Sequence, residues 1–412
     1  MEGYNKKVIM SYWTICRMKT TKKIYVKVSI IFLLGGILLF SSCEKEENQK
    51  IEANRKTLFM YLPWSSNLTN YFYYYISDLE KCITKIGLNN EKVNVFISTG
   101  STEAMMFEIV SSHGRCKREI LKKYKSPPFT TIDGITAILN DVKAFAPASV
   151  YTMIIGCHGM GWLPVYEMKV RSAPHMKMHW EYQGVPLTRY FGGLTAEYQT
   201  DIKSLASGIA NAGMKMEYIL FDDCYMSSIE VAYELKDVTK YLIGSTSEMM
   251  AYGMPYAAIG EYLLGNPDYQ SGCEEFYNFY SSYDIMPCGI LEVLDCAVLV
   301  NMAVFIKSIN SKYSFDKSLR GTIQRLDGYT PVIFYDFADY ITSLCNDPIL
   351  LNQFREQLNH LVPYKTHTKN FYTMAKGIIP INTFSGITTS DPSDNPMTVL
   401  KENTLWYKAA HN

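Results

Sequence analysis

The sequence predicts an α/β protein built on an open, mostly parallel β-sheet flanked by helices, with a C-terminal extension. Three observations predict it. Short apolar runs alternate with helix-like stretches through most of the chain, as repeated βα units require. Two of those runs, Ser149–Cys157 and Tyr218–Phe221, are almost continuously apolar, the pattern of strands buried on both faces. The composition, 48% hydrophobic against 19% charged over 412 residues, supports a large core and excludes a disordered chain.

Taken in order, Thr57–Leu62 reads as the first strand, and Pro63–Asn67 as a loop leading into a helix that runs to about Ile86. Val93–Ile97 is a second strand and Met105–Val110 an outer one. Asp133 introduces a helix within Thr131–Phe145. After the strand Ser149–Cys157 comes an irregular stretch, Leu163–Gly193, then a helix from about Leu194 to Ala212. Tyr218–Phe221 is a strand, Ile229–Leu235 a helix, Tyr241–Gly244 a strand, and Gly289–Leu294 runs into a helix ending near Ile309. The chain shows no internal repeat and no low-complexity tract.

The first 42 residues stand apart from this alternation. Arg17, Lys19, Lys22, Lys23 and Lys27 precede the apolar run Val28–Phe40, which is shorter than the roughly 20 residues a bilayer-spanning helix needs. The segment therefore reads as an export signal. It ends in Phe40-Ser41-Ser42-Cys43, which resembles a bacterial lipobox; in such proteins the signal is cut before the Cys, which is then acylated. The expected division is residues 1–42 as signal peptide with the lipobox ending at Cys43, 43–55 as a charged tether, 56–310 as the core, and 311–412 as a C-terminal subdomain packed on it. The expected location is the bacterial cell envelope, with a lipid anchor in the outer membrane and the domain on its periplasmic or surface face.

Charge and cysteine usage narrow the partners. Lys plus Arg and Asp plus Glu stand at 40 each, so no net field favours nucleic acid and no nucleic-acid partner is expected. The 10 cysteines contain no CxxC pair and match no zinc spacing, so most read as small buried residues. His175 and His179 would form a metal pair only on a helix with converging carboxylates, and no metal site is predicted.

In open parallel sheets, ligand sites form beyond the carboxyl ends of the strands, which directs attention to the polar residues just after each apolar run. Two ends carry chemistry. Ile154-Ile155-Gly156-Cys157-His158-Gly159-Met160-Gly161-Trp162 releases a His into a glycine-rich loop, and Ile219-Leu220-Phe221-Asp222-Asp223-Cys224-Tyr225-Met226 releases a Cys at the corresponding height. A thiol and an imidazole on adjacent loops suit nucleophilic acyl transfer: the thiolate attacks a carbonyl and the imidazole protonates the leaving amine. Without a side chain, the Gly159 N–H can approach the substrate carbonyl and, with the Cys224 N–H, stabilise the developing oxyanion.

His158-Gly159-Met160-Gly161-Trp162 and Asp222-Asp223-Cys224-Tyr225-Met226 with Glu230 resemble the two active-site blocks of the clostripain family of cysteine peptidases, relatives of caspases and gingipains. Weaker matches follow in the same order: Tyr61 with Asn67-Leu68, Ser245-Thr246-Ser247-Glu248 with Gly253 and Tyr256, Asp336–Tyr340, Phe384–Ile387 and Trp406-Tyr407.

The resemblance implies a caspase-like sheet, Cys224 as nucleophile, His158 as general acid/base, and Asp222 at the base of the primary pocket with Ser247 and Glu248 in its wall. A buried carboxylate there implies cleavage of a protein or peptide after Arg or Lys. It also implies self-cleavage after Lys169 or Arg171, no required cofactor, and room for calcium, which some members contain, although no EF-hand-like loop occurs here.

One departure stands beside the nucleophile: Asp223 occupies a position where the family commonly has a small residue. Pointed at the thiol, it would hold back thiolate formation. Two rival readings follow. One is a catalytically inactive surface lipoprotein using the fold as a peptide- or glycan-binding module. The other is a transpeptidase that shares the dyad and differs only in the acceptor.

Overall fold

The computed structural model describes residues 54–65, 68–165 and 198–411. From Asn54 onward they form one compact unit. Its centre is a nine-stranded sheet in the order β10-β8-β7-β6-β5-β1-β2-β3-β4. The strands are β1 (Asn54–Leu62), β2 (Glu91–Ser98), β3 (Glu103–Ser112), β4 (Arg115–Lys125), β5 (Ala148–Ile155), β6 (Met216–Phe221), β7 (Thr239–Gly244), β8 (Ile290–Asp295) and β10 (Tyr364–His367). Strands β7, β6, β5, β1 and β2 run parallel, and antiparallel pairs close both edges. The mostly parallel α/β sheet expected from the alternating pattern is therefore present.

Burial explains why the central strands read as unbroken apolar runs. Residues Lys56 to Leu62 of β1 are all buried, as are the last four of β5 and of β6, because helices cover both sheet faces. One face carries α1 (Thr69–Ile86) with two helices that follow β7. The crossover returning to β5 lies on the other side of β1, and right-handed connections put its helix on the opposite face. There α2 (Ile132–Phe145) packs on α3 (Ile202–Asn211), and α3 on α4 (Ile229–Leu235).

Local signals set the helix ends. Thr131 caps α2 by accepting the Gly134 N–H at 3.1 Å. α1 stops at Gly87, whose φ of 77° a side chain would resist.

Several elements differ from the sequence expectation. Helix α3 begins at Ile202 rather than near Leu194, because Asp201 is extended and its carboxylate accepts the Val165 N–H at 2.7 Å. Strand β4 was not expected: its sequence, RCKREILKKYK, lacks alternation because it is a mostly exposed edge. Helices α5 (Tyr256–Leu263) and α6 (Tyr269–Ser281) fill a region to which the apolar pattern assigned nothing. Lys56 ties the central strand to α5 by donating to the Leu263 carbonyl at 2.6 Å, and burial pulls its ammonium down to about 8.

Beyond α7 (Leu299–Asn310), the chain supplies α8 (Phe337–Leu344), α9 (Pro348–Leu361), edge strand β10 and α10 (Leu405–His411). It also supplies two small pairs: β9 (Tyr335–Asp336) with β13 (Thr388–Thr389), and β11 (Asn370–Thr373) with β12 (Gly377–Pro380). The β13 segment reaches the loops at the carboxyl end of the sheet: Ser228 bridges Thr388, and the Thr388 N–H donates to the Ser227 carbonyl at 3.0 Å.

Candidate active site

Strand β1 is flanked by β2 on one side and β5 on the other, so the connections diverge there and leave a crevice beyond the strand carboxyl ends. In the parallel β5–β6 pair, Ile155 stands opposite Phe221, and the Asp222 N–H extends the ladder to the Ile155 carbonyl at 2.8 Å. His158 and Cys224 each lie three residues beyond that pair, so the register puts them at the same level on adjacent loops. Both are fully buried.

Gly159 sits directly on the Cys224 backbone. A Cβ at Gly159 would lie 2.9 Å from the Cys224 nitrogen and 3.0 Å from the Asp223 Cβ, and closer still to the Cys224 carbonyl oxygen. Only glycine fits there, and the fit holds the His158 loop directly against the Cys224 backbone. We expect Gly159→Ala to lower kcat on a peptide substrate by about 10²-fold or more, since the added Cβ must push the His158 and Cys224 loops apart and a misplacement of about 1 Å costs that much. The check is a steady-state assay beside a thermal melt; a folded variant with unchanged kcat would refute it.

The thiol has a partner that no local sequence signal announces: the Met249 backbone N–H reaches Cys224 Sγ at 3.1 Å. A donor aimed at sulfur stabilises negative charge on it. Met249 arrives there because the segments after β6 and β7 run side by side, Tyr225 N–H to Ser247 carbonyl at 3.0 Å and Ser227 N–H to Ser245 carbonyl at 3.1 Å.

Directly after Cys224, Tyr225 adopts a φ of 61°, a left-handed conformation unfavourable for an aromatic residue. Its surroundings hold it there. The ring stacks on Phe334 at 4.9 Å and the hydroxyl donates to Glu248 at 2.8 Å. Phe334 is fixed in turn by the buried carboxylate of Asp327, which accepts the N–H groups of Tyr329, Ile333 and Phe334 at 2.8, 2.7 and 2.6 Å.

The two aspartates before Cys224 face different ways. Asp223 turns to the His loop: its Oδ1 accepts the Cys157 N–H at 2.6 Å, and its Oδ2 lies 3.5 Å from the Cys157 sulfur. It ties the end of β5 to the end of β6. Asp222 turns to the loop after β7, its Oδ1 accepting the Met254 N–H at 2.9 Å and its Oδ2 the Tyr256 hydroxyl at 3.0 Å.

The expected pocket-wall residues are also internal. Ser247 is buried, with its carbonyl engaged by Tyr225. Glu248 accepts from the Tyr225 hydroxyl on one oxygen and from the Met374 N–H, at 2.9 Å, on the other. Cys43, Lys169, Arg171, His175 and His179 lie outside the described residues. Among the described residues, no group of three or more His, Cys, Asp or Glu side chains could hold a metal ion, and no helix is long and apolar enough to cross a membrane.

The C-terminal segment braces both loops. Trp162, at the end of the His loop, donates its indole N–H to Ser390 Oγ at 2.8 Å, and the Ser390 N–H donates to Glu230 at 2.7 Å. Burial, with Asp391 nearby, raises the Glu230 carboxyl from 4.5 to about 7. The native state therefore keeps a proton that the unfolded chain releases near pH 4.5, and stability from this group falls by about 3 kcal/mol as pH rises from about 4.5 to about 7. In Glu230→Gln that share of the pH dependence should vanish. The check compares urea midpoints of both proteins at pH 5 and pH 8, and equal pH slopes would refute it.

Comparison with known proteins bears on the family and the fold. The model of the clostripain family matches residues 61–301. A secreted C11 cysteine protease from Bacteroides thetaiotaomicron, iotapain, is 56% identical, with 87% of this chain and 99% of that one covered and a TM-score of 0.81. A clostripain from the same organism, solved with the peptide inhibitor BTN-VLTK-AOMK, is 62% identical over 54% of this chain and 99% of that one, with a TM-score of 0.53. An inactive zymogen C11 protease from Parabacteroides distasonis, 23% identical with 87% of this chain and 98% of that one covered, shares the fold at a TM-score of 0.71. No match was found among curated proteins. With its family match spanning most of the sheet and both loops, and with a caspase-like fold shared with solved C11 proteases, this chain belongs to the clostripain family of cysteine peptidases.

Proposed function

We propose that this hydrolase cuts peptide bonds after Lys or Arg through a Cys224–His158 dyad. The observation that carries the reading is the seating of Gly159 on the Cys224 backbone, because it supplies an oxyanion site where attack would occur. In this mechanism the Cys224 thiolate, supported by the Met249 N–H, adds to the scissile carbonyl. The oxyanion is received by the N–H groups of Gly159 and Cys224, and His158 protonates the departing amine. Water then releases the acyl group, with His158 as general base. Asp222 receives the basic side chain, and Ser247 and Glu248 shape the wall beside it. No cofactor enters these steps. The Lys that ends the VLTK string of the inhibitor bound to the 62% identical clostripain supports a basic preference.

Two further parts of the proposal concern the chain's history. Cys224 and His158 are fully buried, so a substrate reaches the sulfur only after the chain moves, and we place the activating event at a cut after Lys169 or Arg171. Export with a lipid on Cys43 rests on the lipobox-like Phe40–Cys43 sequence, and it fits a relative described as secreted. Asp223, which made an inactive module a rival, instead accepts from Cys157.

The test is hydrolysis of fluorogenic peptides ending in Lys, Arg, Asp or Leu, before and after limited trypsin nicking. Release after basic residues only is the expected result. Release after Asp or Leu, or none after nicking, would overturn the proposal.

A further inference from the structure

The segment between α7 and α8 carries one ring that meets both site loops. Phe334 is fully buried. Its face stacks on Tyr225, the residue after Cys224, with ring centroids 4.9 Å apart and planes 17° from parallel. Its outer edge meets the His loop: a Cβ placed on Gly161 would lie 2.9 Å from the Phe334 Cζ and 3.0 Å from its Cε1. The same Cβ would lie 3.1 Å from the Tyr225 carbonyl oxygen, so Gly161, Tyr225 and Phe334 converge on one point.

The ring has a firm seat. The Phe334 N–H donates to Asp327 Oδ2 at 2.6 Å, and its carbonyl accepts the Leu326 N–H at 3.0 Å. Two residues earlier, the Val332 carbonyl accepts the Ser393 hydroxyl at 2.6 Å. Tyr329 of the same segment reaches the same two loops: its hydroxyl donates to the Met160 sulfur at 3.3 Å, and its ring lies 6.0 Å from that of Tyr225. A close-packed interior is stiff, so a ring seated this way fixes the spacing of the loops it touches.

We infer that Phe334 is a positioning residue for the peptidase chemistry, acting on Cys224 through Tyr225 and on His158 through Gly161. The inference rests on the proposed Cys224–His158 dyad. On the Cys side, Tyr225 sits at a φ of 61° that its surroundings must hold, and the stacked ring is part of that hold. On the His side, Gly161 has a φ of 60° and no side chain with which to fill the space that a smaller residue at 334 would leave. Loops free to shift by about 1 Å at this junction would cost catalysis up to about 10²-fold.

The experiment measures kcat and KM on a Lys-ending peptide for the detergent-solubilised full chain, nicked with trypsin and then freed of it. Phe334→Leu should lower kcat by about tenfold or more with KM near the wild-type value. Phe354→Leu, a buried Phe of α9 that packs on Phe337, is the control for lost core packing and should keep its kcat. The deciding measurement is a double-mutant cycle with Gly161→Ala. Leu lacks the two ring atoms that the new Cβ would strike, so Gly161→Ala should cost much less in the Phe334→Leu background than in the wild type. The strain of Ala at that φ is common to both backgrounds and cancels.

Losses that simply multiply in the double variant would overturn the inference, as would a folded Phe334→Leu that loses no more kcat than Phe354→Leu. If Phe334→Leu does not fold, Phe334→Met takes its place in the same cycle. A nicked wild type that cleaves no peptide would remove the proposed function, and the inference with it.

Discussion

Replacing Cys224 by Ala should lower kcat on Lys-ending peptides by about 10⁴-fold or more, because the nucleophile and its acid/base partner act as one unit. The substitution removes one sulfur, which accepts the Met249 N–H, and keeps the backbone bonds that position this loop, so folding should be nearly unaffected. The same variant reads out maturation. Wild-type protein should separate into two pieces on a denaturing gel, with a new end after Lys169 or Arg171, while Cys224→Ala remains one chain. Mass spectrometry of the new ends checks the site. Basic-residue cleavage that persists in the variant would show that another group performs the chemistry. A variant cut like the wild type would remove self-processing and leave the dyad standing.

The second large effect belongs to Asp222. Asp222→Asn should reduce kcat/KM for Lys-ending peptides by about 10²- to 10³-fold, since leaving one member of a buried charge pair without its partner costs about 2–5 kcal/mol. The carboxamide oxygen can keep the Met254 N–H, but the Tyr256 hydroxyl must turn from donor to acceptor of the new NH2. A structural contribution is therefore built into the substitution. Two measurements separate it from loss of charge recognition: the alkylation rate of Cys224 by iodoacetamide, and the residual rate on a peptide with an uncharged isostere of Lys. If Asp222 binds the substrate cation, both stay close to wild type while the Lys peptide suffers. If Asp222 only anchors the loop, all three fall together and the pocket assignment is wrong.

The parts of the molecule that were legible in the sequence share a physical cause. Strands β1, β5 and β6 are buried on both faces near their carboxyl ends, so their residues must be apolar without interruption. The polar residues that break those runs then mark the sheet end, and they include His158, Asp222, Asp223 and Cys224. Glycine beside His158 reads as room for a substrate carbonyl, and the structure adds that the same missing side chain lets the loop sit on the Cys224 backbone.

Edge strand β4 escaped because exposure on both sides removes the apolar signal. Helix α6 escaped because its tyrosines, such as exposed Tyr277, carry no clear boundary between core and solvent.

Residue types and their order along the chain determined the sheet, the position of the thiol and imidazole at its carboxyl end, and the family. Tertiary structure alone decided how the neighbouring groups are used. Nothing local in Asp222-Asp223 says that one carboxylate faces Met254 and Tyr256 while the other binds the Cys157 N–H. Nothing in Met249 announces a donor to sulfur, and nothing in Ser390 announces a brace between Trp162 and Glu230. Each of these contacts joins residues far apart in the chain, and a hydrogen bond depends on where two groups meet in space. Burial leaves its mark on every residue of a strand, but a partner leaves none on the residue it meets.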